Sequence, residues 1–185
     1  MATHVILLRG VNVGGNNKVP MAALRQRLER DGFAHVRTYI QSGNVLVDAT
    51  GTSSKAADKV RSAILAEFGV DVPAIALSAT DLRRAGEANP YPHESDHKRL
   101  HAFFLPAQPD EAARARLDEL NAKFAGAAHP DSTTLIGRTL YLHTPGGFGT
   151  SDLAKALTTK GRLASLNGTA RNWATVTTLL GMVDQ

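Results

Sequence analysis

The order of hydrophobic periodicities along the first eighty residues constrains the fold more than any other feature of the sequence. An apolar run at Val5–Leu8 predicts a buried strand. The helical spacing of Met21, Leu24 and Leu28 then predicts an amphipathic helix. Two strands, a second helix and a last strand are predicted at Val36–Gln41, Asn44–Asp48, Thr52–Phe68 and Pro73–Ser78. A βαββαβ unit of this kind most often closes as a ferredoxin-like antiparallel sheet with helices on one face.

The second half of the chain repeats this order with almost no residue identity, which predicts a duplicated architecture. Its strands and helices are predicted at Arg99–Leu105, from Pro109, at Thr133–Ile136, at Thr139–His143, from Ser151 to Leu157 and at Trp173–Val183. The polar, proline-containing stretch Asn89–Ser95 marks a boundary between the halves. We therefore expect an α+β protein with two ferredoxin-like subdomains, at 1–80 and 99–185, joined by a helical connector at 81–98.

Composition excludes several classes of function. The chain has 185 residues, 43% of them hydrophobic, which is enough to bury a full core. It contains no cysteine, which excludes a disulfide framework, a thiolate metal site and a cysteine nucleophile. No apolar run reaches membrane-spanning length and the first residues lack a secretory pattern, so we expect a cytoplasmic protein without a membrane partner. A net charge of +4 and a pI near 9.6 favour anionic ligands in a general way.

The segment between the first strand and the first helix is the strongest candidate for a binding site. Arg9–Lys18 is rich in glycine and asparagine, and both of its end residues are cationic. Such a loop beside a helix N-terminus can turn backbone N–H groups toward an anion. In this interpretation Arg9 grips the anion through two hydrogen bonds and Lys18 adds a point charge. Further contacts are predicted from the amides of Asn12 and Asn17 and the backbone of Gly14 and Gly15. The alternative is a loop whose polar residues only satisfy its own turns.

Topology predicts which other residues lie near this loop. In a βαββαβ unit, the chain leaves the first strand at the sheet end where the second strand turns into the third. We therefore expect Gln41, Ser42 and Asn44 close to Arg9–Lys18. There they contact the ligand or, as the alternative, serve only the hairpin turn.

Arg171 is a further candidate ligand residue. It immediately precedes the last predicted helix, where Thr169 or Asn172 is expected as the N-cap and Trp173 as a core anchor. An arginine beside a helix N-terminus is disfavoured by the helix dipole unless it faces an anion. We therefore predict that Arg171 contributes to the anion site if the two halves meet there.

Two other motifs are weaker indications of function. His93–His97 matches the spelling of a zinc-protease motif, but it follows two prolines and adjoins a strand, so no metal site is predicted. Gly146–Ser151 precedes a helix but lacks the Lys-Ser/Thr ending of a nucleotide P-loop, and we interpret it as a helix entry capped by Ser151. No cofactor is predicted.

Several ordered motifs resemble one protein family. They are Leu7–Gly15, Asn17–Val19, Met21, Leu24-Arg25, Thr38–Val45 and Thr169–Trp173. These motifs closely resemble the bacterial family catalogued as domain of unknown function 1697, over nearly the whole chain and most densely in its first fifty residues. The resemblance implies a soluble bacterial α/β protein with two ferredoxin-like parts and supplies no reaction. Ser151-Asp152-Leu153 is a departure, because the resemblance implies a lysine at the middle position.

These observations predict a protein that binds a small phosphorylated or carboxylated ligand, nucleotides included. One alternative is a hydrolase or transferase for acyl-phosphate or phosphoryl groups, with Arg9 stabilising the transferred oxygens and Asn44 or Asn12 orienting water. A second is nucleic-acid binding by the sheet, which 5% aromatic content disfavours because stacking on bases needs exposed aromatic side chains. Binding is favoured over catalysis, since the loop contains no carboxylate and no nucleophile–base pair. The sequence leaves open both enzymatic activity and oligomeric state.

Overall fold

The computed structural model describes residues 2–124, 131–158 and 166–185. The chain divides into two compact units. The first comprises the residues up to Arg84 together with Leu179–Gln185, and the second comprises Ala85–Thr178. The C-terminal end of the chain therefore belongs to the first unit.

The first unit is built on a four-stranded antiparallel sheet. Its elements are β1 (Ala2–Leu8), α1 (Met21–Arg30), β2 (Ala34–Tyr39), β3 (Asn44–Ala49), α2 (Ser53–Phe68) and β4 (Ala74–Ser78), followed by α3 (Ala79–Glu87), whose last residues belong to the second unit. The strand order is β2-β3-β1-β4, with Leu7 opposite Asn44 on one side and Ile75 on the other. This is the strand order of a ferredoxin-like βαββαβ unit.

One face of this sheet packs against α1 and α2. Ile6 and Leu8 of β1 are buried together with Leu24 of α1 and with Val60 and Ile64 of α2. Burying each aliphatic side chain contributes roughly 1.5–3 kcal/mol of transfer free energy. The apolar residues that recur at helical spacing in the sequence therefore form the faces of α1 and α2 that pack on the sheet.

The second unit repeats the same architecture. Its elements are β5 (Leu100–Phe104), α4 (Glu111–Phe124), β6 (Ser132–Ile136), β7 (Thr139–His143), α5 (Asp152–Thr158) and β8 (Thr169–Asn172), followed by α6 (Trp173–Val183), whose last residues belong to the first unit. The strand order β6-β7-β5-β8 corresponds to that of the first sheet. The predicted fold class, an α+β protein with two ferredoxin-like subdomains, is confirmed.

The last strand of the second sheet is the element that the sequence does not indicate. β8 has four residues, half of them buried, and pairs antiparallel with β5 through Phe103 opposite Ala170 and Ala102 opposite Arg171. Alternation over so few residues gives no recognisable period. Asn172 ends this strand and begins α6 at once, so the helix signal in the sequence masks the strand that precedes it.

Short polar side chains begin most of the helices. The caps are Thr52 on Lys55 N–H (3.3 Å), Ser78 on Asp81 N–H (3.0 Å), Asp110 on Ala113 N–H (2.8 Å), Ser151 on Ala154 N–H (2.8 Å) and Asn172 on Thr175 N–H (2.9 Å). The bonds of Ser151 and Asn172 confirm the caps predicted for α5 and α6. None of the helices in the described part of the chain is long and apolar enough to cross a membrane.

Candidate functional site

The loop between β1 and α1 contains a small hairpin of its own. Val13 and Asn16 form an isolated β-bridge, in which Asn16 N–H donates to the Val13 carbonyl at 3.0 Å. Gly14 and Gly15 lie between them with φ of 58° and 81°, the pair of positive angles typical of a type I′ turn. Both glycines are exposed. They therefore shape an exposed tip, and the approach of their backbone to a ligand stays a prediction.

Asn12 ties this loop to the turn between β2 and β3. Its Nδ2 donates to the carbonyls of Val19 at 2.9 Å and Gln41 at 2.8 Å, and its Oδ1 accepts from Val19 N–H at 2.9 Å. Asn17 is also used inside the loop, since its Nδ2 donates to the Gly10 carbonyl at 3.0 Å. Both amide hydrogens of Asn12 are thus engaged by the chain. Donation from Asn12 to a ligand would require breaking one of these bonds, so its first role is to shape the loop.

The predicted proximity of the first loop and the β2–β3 turn is confirmed. Leu8 N–H donates to the Gly43 carbonyl at 2.8 Å. Gly43 is buried with φ of 80°, and a Cβ at this position would lie 2.6 Å from Val11 Cγ2 and 2.7 Å from Leu8 Cβ. The two segments therefore pass so closely that only glycine fits.

The β2–β3 turn is held by Asn44. This side chain is fully buried, and its Nδ2 donates to the Tyr39 carbonyl at 3.0 Å and to Ser42 Oγ at 3.1 Å. Asn44 thus performs the turn chemistry that was the alternative to ligand contact. Gln41 and Ser42 are exposed. Ile40 is exposed by 51% and has φ of 47°, a strained conformation for a β-branched residue, so the turn stores backbone strain.

Two cations and a helix N-terminus belong to the same segment. Arg9 is partly buried, with its backbone N–H donating to the Pro73 carbonyl at 2.9 Å, while Lys18 is exposed. α1 begins after Pro20, and no side chain of the described residues caps this end of the helix. Its first turn also carries no acidic residue. The partial positive charge of the helix N-terminus is therefore not neutralised by the helix itself.

Arg171 lies on β8 of the second unit. Its side chain is 6% exposed, and Nη1 donates to Thr169 Oγ1 at 2.9 Å and to the Ala170 carbonyl at 2.8 Å. Burial lowers the pKa of Arg171 to about 10. The guanidinium is thus anchored within its own strand, and its contribution to a ligand site stays a prediction.

The histidine-rich connector has a different arrangement from that of a zinc motif. Residues 93–97 are not helical, so His93 and His97 do not share a helix face. Glu94 instead bonds to His143 at the end of β7, with Oε2 and Nε2 separated by 2.7 Å. Among the described residues, no group of three or more histidine, aspartate or glutamate side chains is placed to hold a metal ion.

Sequence reasoning missed the pair formed by Glu94 and His143. The two residues lie 49 positions apart, and neither belongs to a motif with the other. Topology carried a usable signal, because in a βαββαβ unit the third strand ends beside the start of the first. In the structure, His143 is opposite Leu100.

Comparison with known proteins places the chain in a family. A family model described as "Protein of unknown function (DUF1697)" matches residues 1–141. The chain belongs to this family. The DUF1697 match includes the first loop, the β2–β3 turn and Glu94, and it ends within β7.

A solved structure shares the DUF1697 chain's fold. It is described as the structure of the conserved bacterial protein SP0830 from Streptococcus pneumoniae, with a TM-score of 0.72 and 23% sequence identity over 98% of each chain. At this identity, the likeness shows the fold alone. A search of curated proteins gives no match for this DUF1697 chain.

Proposed function

We propose that the first unit binds a small ligand through a phosphate or carboxylate group at the Arg9–Lys18 loop. The observation that carries this proposal is the N-terminus of α1, which has no side-chain cap among the described residues and follows the exposed Lys18 by a short segment. Unpaired N–H groups at a helix N-terminus point along the axis and favour negative charge. An anion at this end would satisfy the N–H groups that a capping side chain satisfies in α2.

The charges of the loop support the same ligand class. Lys18 adds a flexible point charge, and Arg9 can present two parallel N–H groups to a carboxylate or phosphate. The loop Arg9–Lys18 contains no acidic residue. The exposed Lys18, in a loop sequence without an acidic residue, contributes a positive potential that draws anions toward the loop.

The loop is also preorganised for binding. Gly10, Asn12 and Asn17 have positive φ angles of 69°, 55° and 46°, and the hydrogen bonds of the two asparagines hold those angles. A loop that is already ordered loses less conformational entropy when a ligand binds. The Gln41 carbonyl is tied to the loop through Asn12 Nδ2, so Gln41 and the adjoining Ser42 are proposed as the polar contacts on the other side of the anion.

The hydrolase alternative receives less support from the geometry. Its mechanism needs an asparagine amide free to orient water. Asn44 is 0% exposed, and both Asn44 and Asn12 use their amide groups on the chain. We therefore propose binding rather than phosphoryl or acyl transfer.

Nucleic-acid binding by the first sheet is also disfavoured. A ferredoxin-like sheet that stacks bases needs exposed aromatic side chains on its central strands. The central strand β1 is buried on both faces, with Val5, Ile6 and Leu7 at 0% exposure. We therefore do not propose this surface as a base-stacking platform.

Titration calorimetry with inorganic phosphate, acetate, acetyl phosphate and AMP tests the proposal. We expect one class to bind, with Lys18→Ala and Arg9→Ala each weakening binding about tenfold or more, since a charge-assisted hydrogen bond contributes about 1.5–3 kcal/mol. Lys59→Ala is the matched control, because it removes an exposed cation from α2 of the same unit. An equal loss in Lys59→Ala would show general charge attraction, and no binding of any anion would contradict the proposal.

A further inference from the structure

The second unit contains a cavity that the proposed anion site does not use. Its volume is about 310 Å³. It is lined by Pro90, Tyr91, Pro92, His93, Glu94 and His143. Ligand pockets in proteins begin at roughly 300 Å³, so the cavity is large enough for a molecule of about one ring.

A histidine–carboxylate pair forms the polar part of this cavity. His143 Nε2 and Glu94 Oε2 are 2.7 Å apart, and their side chains are only 21% and 14% exposed. Glu94 Oε1 also accepts from Asp96 N–H at 2.8 Å. The bond from His143 lowers the pKa of Glu94, as does the bond from Asp96, so the carboxylate is ionised at neutral pH.

The ionised carboxylate determines the tautomer of His143. A carboxylate only accepts hydrogen bonds, so the proton of the neutral imidazole lies on Nε2. The other ring nitrogen, Nδ1, is then a lone-pair acceptor. No described residue donates to Nδ1, so this acceptor is available to a ligand.

Tyr91 supports the imidazole from one side. The two rings stack with centroids 4.9 Å apart and an interplanar angle of 28°. The Tyr91 hydroxyl is held by Ser132 Oγ at 3.1 Å and Thr134 Oγ1 at 3.0 Å, both on β6. The stack is therefore fixed to the sheet, which keeps the His143 acceptor in one orientation.

The prolines make another part of the lining rigid and apolar. Pro90 and Pro92 restrict the backbone on either side of Tyr91. Tyr91 N–H donates to Asn89 Oδ1 at 2.9 Å, and Glu94 N–H donates to the Tyr91 carbonyl at 3.2 Å. The tyrosine ring offers a flat apolar face and the proline rings offer apolar CH2 groups, and both suit packing against a planar ring.

Charge excludes anions from the cavity. Glu94 carries a negative charge, and no arginine or lysine is among the lining residues. Arg99, which also lowers the pKa of Glu94, is paired with Asp96 at 3.3 Å. An anionic ligand would therefore meet repulsion here, in contrast to the site proposed for the first unit.

We propose that this cavity binds a small uncharged planar ring that donates one hydrogen bond, as phenols and indoles do, with His143 Nδ1 as the acceptor. The ring packs against Pro90, Pro92 and Tyr91. Glu94 is a positioning residue, because its bond to Nε2 holds the tautomer and orientation of His143.

NMR titration with phenol, anisole and benzoate tests this proposal on the whole chain. We expect phenol to give saturable shifts at residues 91–94 and at the His143 ring. Anisole has the same ring without the O–H donor, so it should bind about fivefold more weakly, the ratio given by one lost neutral hydrogen bond. Benzoate should bind more weakly still because its charge meets Glu94. The comparison of phenol with anisole needs no variant and so cannot fail through misfolding.

Two variants then identify the acceptor. His143→Phe keeps a ring on Tyr91 and removes Nδ1, so it should bind phenol and anisole equally. Glu119→Gln is the control, because it removes an exposed carboxylate of α4 and should leave phenol binding unchanged. Unsaturable phenol shifts, equal binding of phenol and anisole to the wild type, or a phenol preference that survives in His143→Phe would each overturn the proposal.

Discussion

The two units share one strand order but place their polar features at opposite ends of the sheet. In the first unit, the loop and the β2–β3 turn lie where β1 ends, since Leu7 is opposite Asn44. In the second, the cavity lies where β5 begins, since Leu100 is opposite His143. The same βαββαβ topology therefore has two sheet ends at which a site can form, and the sites that we propose lie at different ends in the two units.

The sheet end that carries the long loop in the first unit carries a shorter connection in the second, from Phe104 of β5 to Glu111 of α4. Each unit has a backbone bond to the hairpin turn, from Leu8 to Gly43 at 2.8 Å and from Leu105 to Arg138 at 2.9 Å. The first unit adds a long polar loop and the bonds of Asn12 to this shared tie. The difference shows that the loop is an elaboration on a turn that the fold already requires.

Each unit has a glycine in its hairpin turn, Gly43 in the first and Gly137 in the second. Replacing these glycines by alanine is expected to cause the largest loss of stability. Gly43→Ala puts a Cβ within 2.7 Å of Leu8 and Val11 at φ of 80°, so overpacking and backbone strain act together. We expect a loss of about 2–4 kcal/mol in the free energy of unfolding. Gly137→Ala in the β6–β7 turn meets nothing within 4 Å at φ of 59°, so only the strain remains, at about 1–2 kcal/mol. Urea denaturation of both variants measures the difference.

Equal losses for these two variants would break the comparison. They would mean that backbone conformation alone decides the cost of alanine at both turns. The close packing of the first loop on Gly43 would then contribute nothing to stability.

Asn12→Ala tests whether the hydrogen bonds of the Asn12 side chain keep the first loop ordered. The variant loses two donated hydrogen bonds and one accepted bond, and leaves the carbonyls of Val19 and Gln41 without this donor. We expect a loss of about 1–3 kcal/mol in the free energy of unfolding and faster hydrogen exchange at Val19. Asn17→Ala, which loses one bond, to Gly10, is the matched variant and should lose less. A smaller effect for Asn12 than for Asn17 would show that the tie between loop and turn is not what orders the segment.

Much of the fold follows from local pattern in the sequence. The apolar spacing of Leu24 and Leu28 indicates α1 because one helix face must be buried. Thr52 and Asn172 indicate helix starts because their side chains accept from the first turn. The proximity of the first loop and the β2–β3 turn follows from the order of elements alone.

The roles of individual site residues do not follow from local sequence pattern or from the order of the elements. An asparagine in a polar loop can bind a ligand or stabilise a turn equally well. The structure is needed to show that the side chains of Asn12 and Asn44 hydrogen-bond to backbone carbonyls of the protein itself. The pairing of Glu94 with His143 depends on how two distant segments meet. The sequence therefore predicts where polar groups gather better than it predicts what each group bonds to.

The first strands of the two sheets, β1 and β5, each contain a histidine. Replacing His101 of β5 is expected to change stability the least of the substitutions proposed. His4 of β1 is buried and bonds to Ser53 Oγ at 2.9 Å, and its Nε2 has no partner among the described residues. His101 of β5 is partly buried and packs on the Phe148 ring, with centroids 4.1 Å apart, and its Nδ1 likewise has no partner among those residues. Burial lowers the pKa of His101 from 6.5 to about 4. Between these values the unfolded chain binds the proton and the folded chain does not, so stability falls as the pH falls from about 6.5 to about 4.

His101→Phe keeps a ring against Phe148 and removes this titration. We expect the melting temperature of the wild type to fall more than that of the variant across this pH window. The difference should be roughly 1 kcal/mol after solvent screening of the partly exposed ring is discounted, or about 2–4 °C. Parallel melting curves would place the pKa of folded His101 near that of the unfolded chain. The ring would then be open to water, and the contact with Phe148 would not shield His101 from solvent.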